Sequence, residues 1–512
     1  MAPAEPTPSL SSSSGMASRP LLQIAPMMEV THRDFRNFTR LLTRRAQLWT
    51  EMVVDDTVLH NLEPAKCDRF LAFNSVEHPV VCQLGGSDPA KLAQAAAVVE
   101  RYGYDEVNLN VGCPSSRVAA KGEFGCSLML RKEVVRDIVH AMTRQVQIPV
   151  TVKCRLGADE HDSPEFTREF VRTVAQSGCK HFIVHARKAW LTGLSPAANR
   201  TIPPLRYPRV LDLCQEFPDL NFSLNGGVTD LGHARALLGF PGERLPGESE
   251  DLVAQAWDLR SAEHSSADLA HFALPPNFCG VMIGRGAMNN PVMLWDVDSA
   301  IYGERREAST TCSTRRMVLD RYREYLEEAH PPDDVNRSVG SVHMAVKPTL
   351  GLFAGLRGNK LFRSTLDMLM RDKSRRIQGP ALVLKEAMEA VEAANPGLLD
   401  EPLPHTQAYR PGQKSGGGGS ATCDDSQAKF LQSADGQPRG RKRKKGGEAT
   451  QMQGAQIAVK AFKDGEVPTS CTVEAAIAPS SCAAAAAAAE STAAGVSAGA
   501  VEGSAALDTI AA

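Results

Sequence analysis

The sequence predicts an α/β protein: a (β/α)8 TIM barrel followed by a small helical domain, with disordered N- and C-terminal tails. Three observations lead there. Eight short β-rich runs alternate with amphipathic stretches between residues 21 and 303, the pattern of parallel strands joined by crossover helices. Polar residues collect near the C-terminal ends of these runs, where barrel enzymes carry their sites. Composition changes abruptly on either side of the segment. A doubly wound sheet would also fit the alternation; the placement of the polar residues favours the barrel.

In chain order the runs are LLQIAPM (21–27), LWTEMV (48–53), PVVCQLG (79–85), EVNLNVGC (106–113), PVTVKCRLG (149–157), HFIVHAR (181–187), LNFSLNGGV (220–228) and GVMIGRGA (280–287). A helix over 88–102 is predicted by Asp88-Pro89 as a start signal and by Leu92, Ala96, Val99 and Tyr102 at helical spacing. Residues 240–278 are too long for a normal connection between strands seven and eight and read as an inserted surface excursion. Residues 313–397 read as three to five helices, with Met317, Tyr322 and Tyr325–Leu326 on one apolar stripe and 381–394 supplying another.

Residues 1–20, rich in Ser, Pro and Ala, cannot bury a core and form a disordered or transit-like leader. Residues 411–512 run from GQKSGGGGS through RGRKRKK (439–445) to an Ala-rich tract and are low-complexity. The basic run reads as a nuclear-localisation signal, an RNA-binding arm or a solvated linker. The net charge of −2 carries no nucleic-acid signature, although a local basic patch is enough for one. The 12 cysteines include no CxxC pair, which points to a reducing compartment and away from a disulfide framework or zinc site. No apolar run reaches the ~18 residues that span a bilayer.

Strand four carries Asn108 and Asn110, strand five Lys153 and Arg155, strand six His185 and Arg187. A spacing of two puts each pair on one face of its strand. Unpaired charge is costly to bury, so the three pairs together predict an open, occupied cavity, whereas any one alone has an equally good structural explanation. Strand seven ends in Asn225-Gly226-Gly227 and strand eight in Gly284-Arg285-Gly286. Glycines there allow backbone N–H groups to approach a phosphate, and these two loops are the usual phosphate site of such barrels. Cys113 lies between Gly112 and Pro114, in a turn that presents its thiol over the mouth. A free thiol titrates near about 8.5, so at neutral pH it holds a proton that a carbanion-like centre can take; the alternative is an inert buried cysteine. Lys153 is a cation suited to an anionic reduced cofactor, or else the partner of a neighbouring carboxylate.

These segments resemble one family. APMMEVTHRDFR, TEMV, QLGGSDP, NLNVGCPS, FGCSLM, PVTVKCRLG, HARKAWLTGLSP and the NGG and GRG turns are similar to those of the tRNA-dihydrouridine synthases, and most nearly to the bacterial A-type subfamily, which acts on D-loop positions 20 and 20a. The resemblance covers about residues 21–303 and, more weakly, 313–395. It implies FMN as cofactor, NADPH as electron donor and tRNA as substrate, with hydride reaching uracil C6 while Cys113 protonates C5. It implies that Pro26, Met27 and Met28 lie along the flavin, that Gln83 meets its ring edge, and that Lys153 and His185 hold its pyrimidine and ribityl or phosphate regions. Asn225, Gly226, Gly227, Gly284 and Arg285 would bind its phosphate. Asn110, Arg200, Lys360 and Arg363 match RNA-contacting positions. Three departures bear on the pose of the tRNA: Ala197 stands where Lys is usual, Lys360 where Arg is usual, and Pro348 interrupts a normally continuous helical segment.

No metal or membrane is implied, and a monomer is expected. Bacterial-type barrel and low-complexity ends together favour a chloroplast or mitochondrion over the cytoplasm or nucleus. Two other readings stay open: an FMN barrel oxidoreductase acting on a small molecule, and a non-catalytic tRNA-binding protein.

Overall fold

The computed structural model describes residues 21–114, 124–240, 256–258, 273–304 and 312–405. The expected leader, the basic run and the low-complexity tail lie outside the described residues, as does most of the 240–278 insertion.

The eight expected runs form eight parallel strands: β1 (Leu22–Ile24), β2 (Leu48–Val54), β3 (Val80–Gly85), β4 (Glu106–Val111), β5 (Val150–Arg155), β6 (His181–His185), β7 (Asn221–Asn225) and β8 (Phe278–Ile283). They hydrogen-bond in the order β1-β8-β7-β6-β5-β4-β3-β2. A bridge between Gln23 and Gln47 closes the ring, with Ile24 N–H donating to the Gln47 carbonyl at 2.9 Å. Alternation along each strand divides the side chains between two layers. In β4, Val107, Leu109 and Val111 join the large core under the helices. Ala25, Trp49, Val81, Ile183 and Met282 form a separate small apolar cluster, against which Met27 packs.

The helices between strands follow from local signals. In the helix Pro89–Arg101 the Asp88 carboxylate accepts from the N–H groups of Ala90 and Lys91, while Leu92, Ala96 and Val99 are buried. These belong to the expected face, on which Tyr102 is half-buried; Leu92 and Val99 each contribute about 1.5–3 kcal/mol on burial and the single methyl of Ala96 less. Ser163 caps the helix Pro164–Ala175 in the same way.

Several expectations need correction. β8 starts at Phe278, and Gly284-Arg285-Gly286 is a strand-to-helix turn leading into Arg285–Asn289 rather than the end of a strand. Arg187 lies beyond the end of β6. The insertion is not wholly a surface excursion: Trp257 is fully buried, donates through Nε1 to the Leu237 carbonyl at 3.1 Å, and meets Phe278 edge-on at 5.0 Å. Met317 is exposed, so the apolar stripe of its helix is Val318, Leu319, Tyr322 and Leu326.

The C-terminal region has five α-helices among the described residues: Arg315–Ala329, Val339–Val346, Asn359–Arg371, Lys373–Gln378 and Pro380–Ala394. Pro348 stands in a 3-10 turn, Lys347–Gly351, where the preceding helix stops; a proline lacks the N–H needed to continue it. The fold runs past residue 397, because Leu403 is buried and its N–H donates to the Ser313 carbonyl at 2.9 Å. This region packs on the barrel helix Arg33–Arg40. Tyr322 meets Phe38 edge-on at 5.1 Å, and the Tyr325 hydroxyl donates to Asp34 at 2.7 Å.

Candidate active site

Five basic side chains gather at the C-terminal ends of β5 to β8. The Lys153 ammonium donates to Asn225 Oδ1 at 3.0 Å. Burial first, then repulsion from Arg155, pushes Lys153 down to about 8. Arg187 and Arg200 are lowered by partial desolvation and by Arg285. His185, partly exposed among them, is held well below its usual value by burial and then by Arg155, Lys153, Arg187 and Arg200, so it is a neutral imidazole. Among the described residues no carboxylate forms an ion pair with Lys153, Arg155, Arg187, Arg200 or Arg285. A cluster of like charges with no internal counter-ion is an anion site.

Beside it are two turns in which Gly226, Gly227 and Gly286 leave no room for a side chain. Gly226 and Gly227 have φ of +106° and +70°. A Cβ on Gly226 would lie 2.5 Å from His185 Cδ2, and one on Gly227 2.4 Å from Leu205 Cδ1. The Tyr207 hydroxyl holds the turn by donating to the Gly226 carbonyl at 2.5 Å. At the neighbouring turn a Cβ on Gly286 would lie 2.4 Å from the Thr229 carbonyl oxygen, while one on Gly284 would meet only Ala25 and Met27 at ordinary contact distance. Backbone therefore lines the floor beside the cations, and the two features together fit a phosphate-bearing cofactor.

Cys113 is partly exposed, whereas the other eight described cysteines are buried. Its sulfur lies within electrostatic reach of Lys153, Arg155 and Arg200. The buried thiols of Cys126 and Cys154 are pushed up to about 12 by burial and stay protonated. Backbone bonds set the Cys113 turn: the N–H groups of Gly112 and Cys113 both donate to Asn110 Oδ1, at 3.1 and 3.0 Å, and Cys126 N–H donates to the Cys113 carbonyl at 2.9 Å.

The side chains expected at the site divide into those that reach the mouth and those that support it. Pro26 and Met27 are partly exposed, and Met28 is 61% exposed. Gln83 and Asn110 are 1% and 9% exposed and hydrogen-bond to each other at 2.8 Å, each keeping one amide proton uncommitted. Asn225, expected at a phosphate, instead bridges Lys153 and the Met282 carbonyl, to which its Nδ2 donates at 2.9 Å. Arg155, expected to line an open cavity, is 2% exposed and clamps the loops: it donates to the carbonyls of Gly112, Lys188 and Asn199 at 2.9, 3.0 and 3.1 Å. Arg187 donates to the Pro203 and Thr201 carbonyls. Lys360 and Arg363 are exposed on the helix Asn359–Arg371, in the other domain and, among the described residues, without carboxylate partners.

Sequence reasoning passed over Glu51 and Lys347. Glu29, with φ of +59°, gives its N–H to the Glu51 carboxylate and receives the Lys347 ammonium on its carbonyl at 2.6 Å. The Met27–Met28 loop is thus gripped from both domains. A charged residue within the apolar run LWTEMVV was the available signal, and it does not stand out without coordinates.

A family model, that of dihydrouridine synthase, matches residues 23–242. The tRNA-dihydrouridine(20/20a) synthase of Shewanella oneidensis is 41% identical over 343 residues, which cover 67% of this chain and 87% of that protein. The chain belongs to the dihydrouridine synthase family. Proteins of the same name from Salmonella typhimurium and Escherichia coli are 41% and 42% identical, over 94% and 84% of their lengths. An old yellow enzyme homologue of known structure from Zymomonas mobilis aligns over 58% of this chain at 12% identity with a TM-score of 0.35, too distant to bear on the site.

Proposed function

We propose that this dihydrouridine synthase reduces uridines at positions 20 and 20a of the tRNA D loop, using FMN and drawing electrons from NADPH. The observation that carries the reading is the convergence of the one partly exposed described thiol, Cys113, with Lys153 and Arg155 beside an uncompensated cationic, glycine-floored cradle. Bound there, FMN would supply the reducing equivalents.

The protein's own groups have separable tasks. Gly226, Gly227, Gly284 and Arg285, with Arg187 close by, would hold the phosphate. Lys153, steadied by Asn225, supplies positive charge where a reduced ring is negative. His185 is neutral and acts as a hydrogen-bonding partner rather than a charge. Cys113 holds the proton that the substrate carbon takes. A uracil inside folded tRNA must leave its stack to reach that thiol, and Arg200, Arg357, Lys360 and Arg363, all exposed, are placed to hold phosphates on the way. The protein is read as acting as a monomer.

Cys113→Ala purified with its yellow cofactor tests this on unmodified tRNA. Flavin content should match the parent, and dihydrouridine formation should fall by about 100-fold or more, the usual worth of a positioned proton donor. Normal turnover by the variant would remove Cys113 from the mechanism.

A further inference from the structure

Inside the barrel, a single file of hydrogen bonds runs from the Cys113 turn to a buried carboxylate at the start of β4. Asn110 Oδ1 receives the N–H groups of Gly112 and Cys113. Asn110 Nδ2 donates to Gln83 Oε1 at 2.8 Å, and Gln83 Nε2 to Asn108 Oδ1 at 2.9 Å. Asn108 Nδ2 donates to Thr151 Oγ1 at 2.9 Å, and that hydroxyl donates to Glu106 Oε1 at 2.5 Å. Asn108 is fully buried, Thr151 nearly so, and Glu106 is 7% exposed. The other Glu106 oxygen receives Gln47 Nε2 at 3.5 Å.

The file has a direction, and its two ends impose it. Backbone N–H groups can only donate, so Asn110 must turn its oxygen toward the Cys113 turn and its NH2 toward Gln83. An acceptor at the far end obliges Thr151 to donate there, which leaves its lone pairs for Asn108. Gln83 is the middle of the file and has no choice left: its oxygen faces Asn110 and its NH2 faces Asn108. Without the Glu106 acceptor the Thr151 hydroxyl could turn and donate to Asn108. An Asn108 reversed to accept it would set NH2 against NH2 at Gln83, whose orientation the turn already fixes through Asn110, and the file would lose the one arrangement that both its ends support.

The geometry points to Glu106 as a positioning residue for the candidate active site: through Thr151 and Asn108 it supports, from the far end, the orientation in which Gln83 and Asn110 face the mouth, and so helps to hold the Cys113 turn. This rests on the proposed function for its catalytic consequence, but not for its structural one. What the site needs from Glu106 is an accepting oxygen rather than a negative charge. Glu106→Gln keeps that oxygen, because Gln47 can reverse its amide to meet the new NH2; its own Oε1 is buried without a partner. Glu106→Leu and Thr151→Val both break the file, the second with almost no change of shape.

The test compares these three full-length variants with the parent. Alkylation of Cys113 by iodoacetamide is followed by peptide mass spectrometry on cofactor-free protein, and the flavin absorption spectrum and tRNA kinetics on cofactor-loaded protein. Thr151→Val and Glu106→Leu should alkylate at Cys113 about threefold or more faster, as the turn loosens. They should also shift the flavin spectrum and lose about tenfold in kcat, with KM for tRNA within about twofold. Glu106→Gln should match the parent throughout. Unchanged Cys113 alkylation and spectrum in Thr151→Val would overturn the assignment, as would a Glu106→Gln variant as impaired as Glu106→Leu. If Glu106→Leu does not fold, Thr151→Val decides alone. A parent protein that takes up no FMN and makes no dihydrouridine would defeat the proposed function, while the alkylation rates would still judge the file.

Discussion

Lys153 sits where its charge is both costly and useful. Burial and Arg155 bring it to about 8, from an ordinary 10.5. An anionic ligand needs the protonated form. FMN affinity should therefore be level below about pH 8 and weaken above it, with a proton taken up on binding near that pH. Calorimetric titration of FMN into cofactor-free protein near about pH 7 and about pH 9 checks this. Lys153→Met should bind more weakly and lose the pH dependence; an unchanged profile would count against the cation. For cofactor-free stability the sign is opposite. The folded state holds its proton less tightly than the unfolded chain, so between about 8 and 10.5 the unfolded chain binds more protons and the contribution of this group to stability rises with pH. At this scale two-residue spacing singled out Lys153 and His185, and the Gly112–Pro114 turn singled out Cys113. Neither could tell that Asn225 would serve Lys153, or that Arg155 would be consumed in bracing loops.

The glycine turns belong to the scale of elements. As strings, NGG and GRG look alike, yet their packing differs. Gly226→Ala combines a φ of +106° with a Cβ 2.5 Å from His185 Cδ2 and must displace backbone or imidazole. It should cost about 1–3 kcal/mol of stability and weaken FMN binding. Gly286→Ala meets the Thr229 carbonyl at 2.4 Å and should behave similarly. Gly284→Ala has only ordinary contacts at 3.5 and 3.6 Å and should be the mildest of the three. Thermal melts of the three variants would expose an error in this ranking. The strands themselves were legible because each is a short apolar run with its own stop signal. The end of β8 was read too far because a Gly-Arg-Gly turn carries no local mark of where extension gives way to helix.

At the scale of the whole molecule, the helical domain and the barrel share a core. Tyr322 packs on Phe38, Tyr325 and His330 hold Asp34, and Lys347 reaches Glu29. Cutting the chain after residue 304 would strip the helix Arg33–Arg40 of this cover, so such a truncation should be poorly soluble rather than a working barrel, as expression and FMN uptake would reveal. Point variants are the cleaner probe of tRNA binding. Lys360→Ala and Arg363→Ala should each reduce the slope of log affinity against log salt by about 0.7–0.9, one phosphate contact apiece, with FMN binding untouched. A slope unchanged in both would place the tRNA elsewhere.

Taken alone, the order of residues settled the eight strands, their polar C-terminal ends and the thiol in its Gly–Pro turn. These are local facts: alternation with a period of two and turn chemistry act between residues a few positions apart. Tertiary structure decided which polar groups work on one another. Gln83 meets Asn108 across 25 residues of sequence, and Lys153 meets Asn225 across 72. Such pairs arise only when strands distant in sequence are brought side by side or across the barrel, where a buried amide must find its partner among side chains that no local pattern brings together.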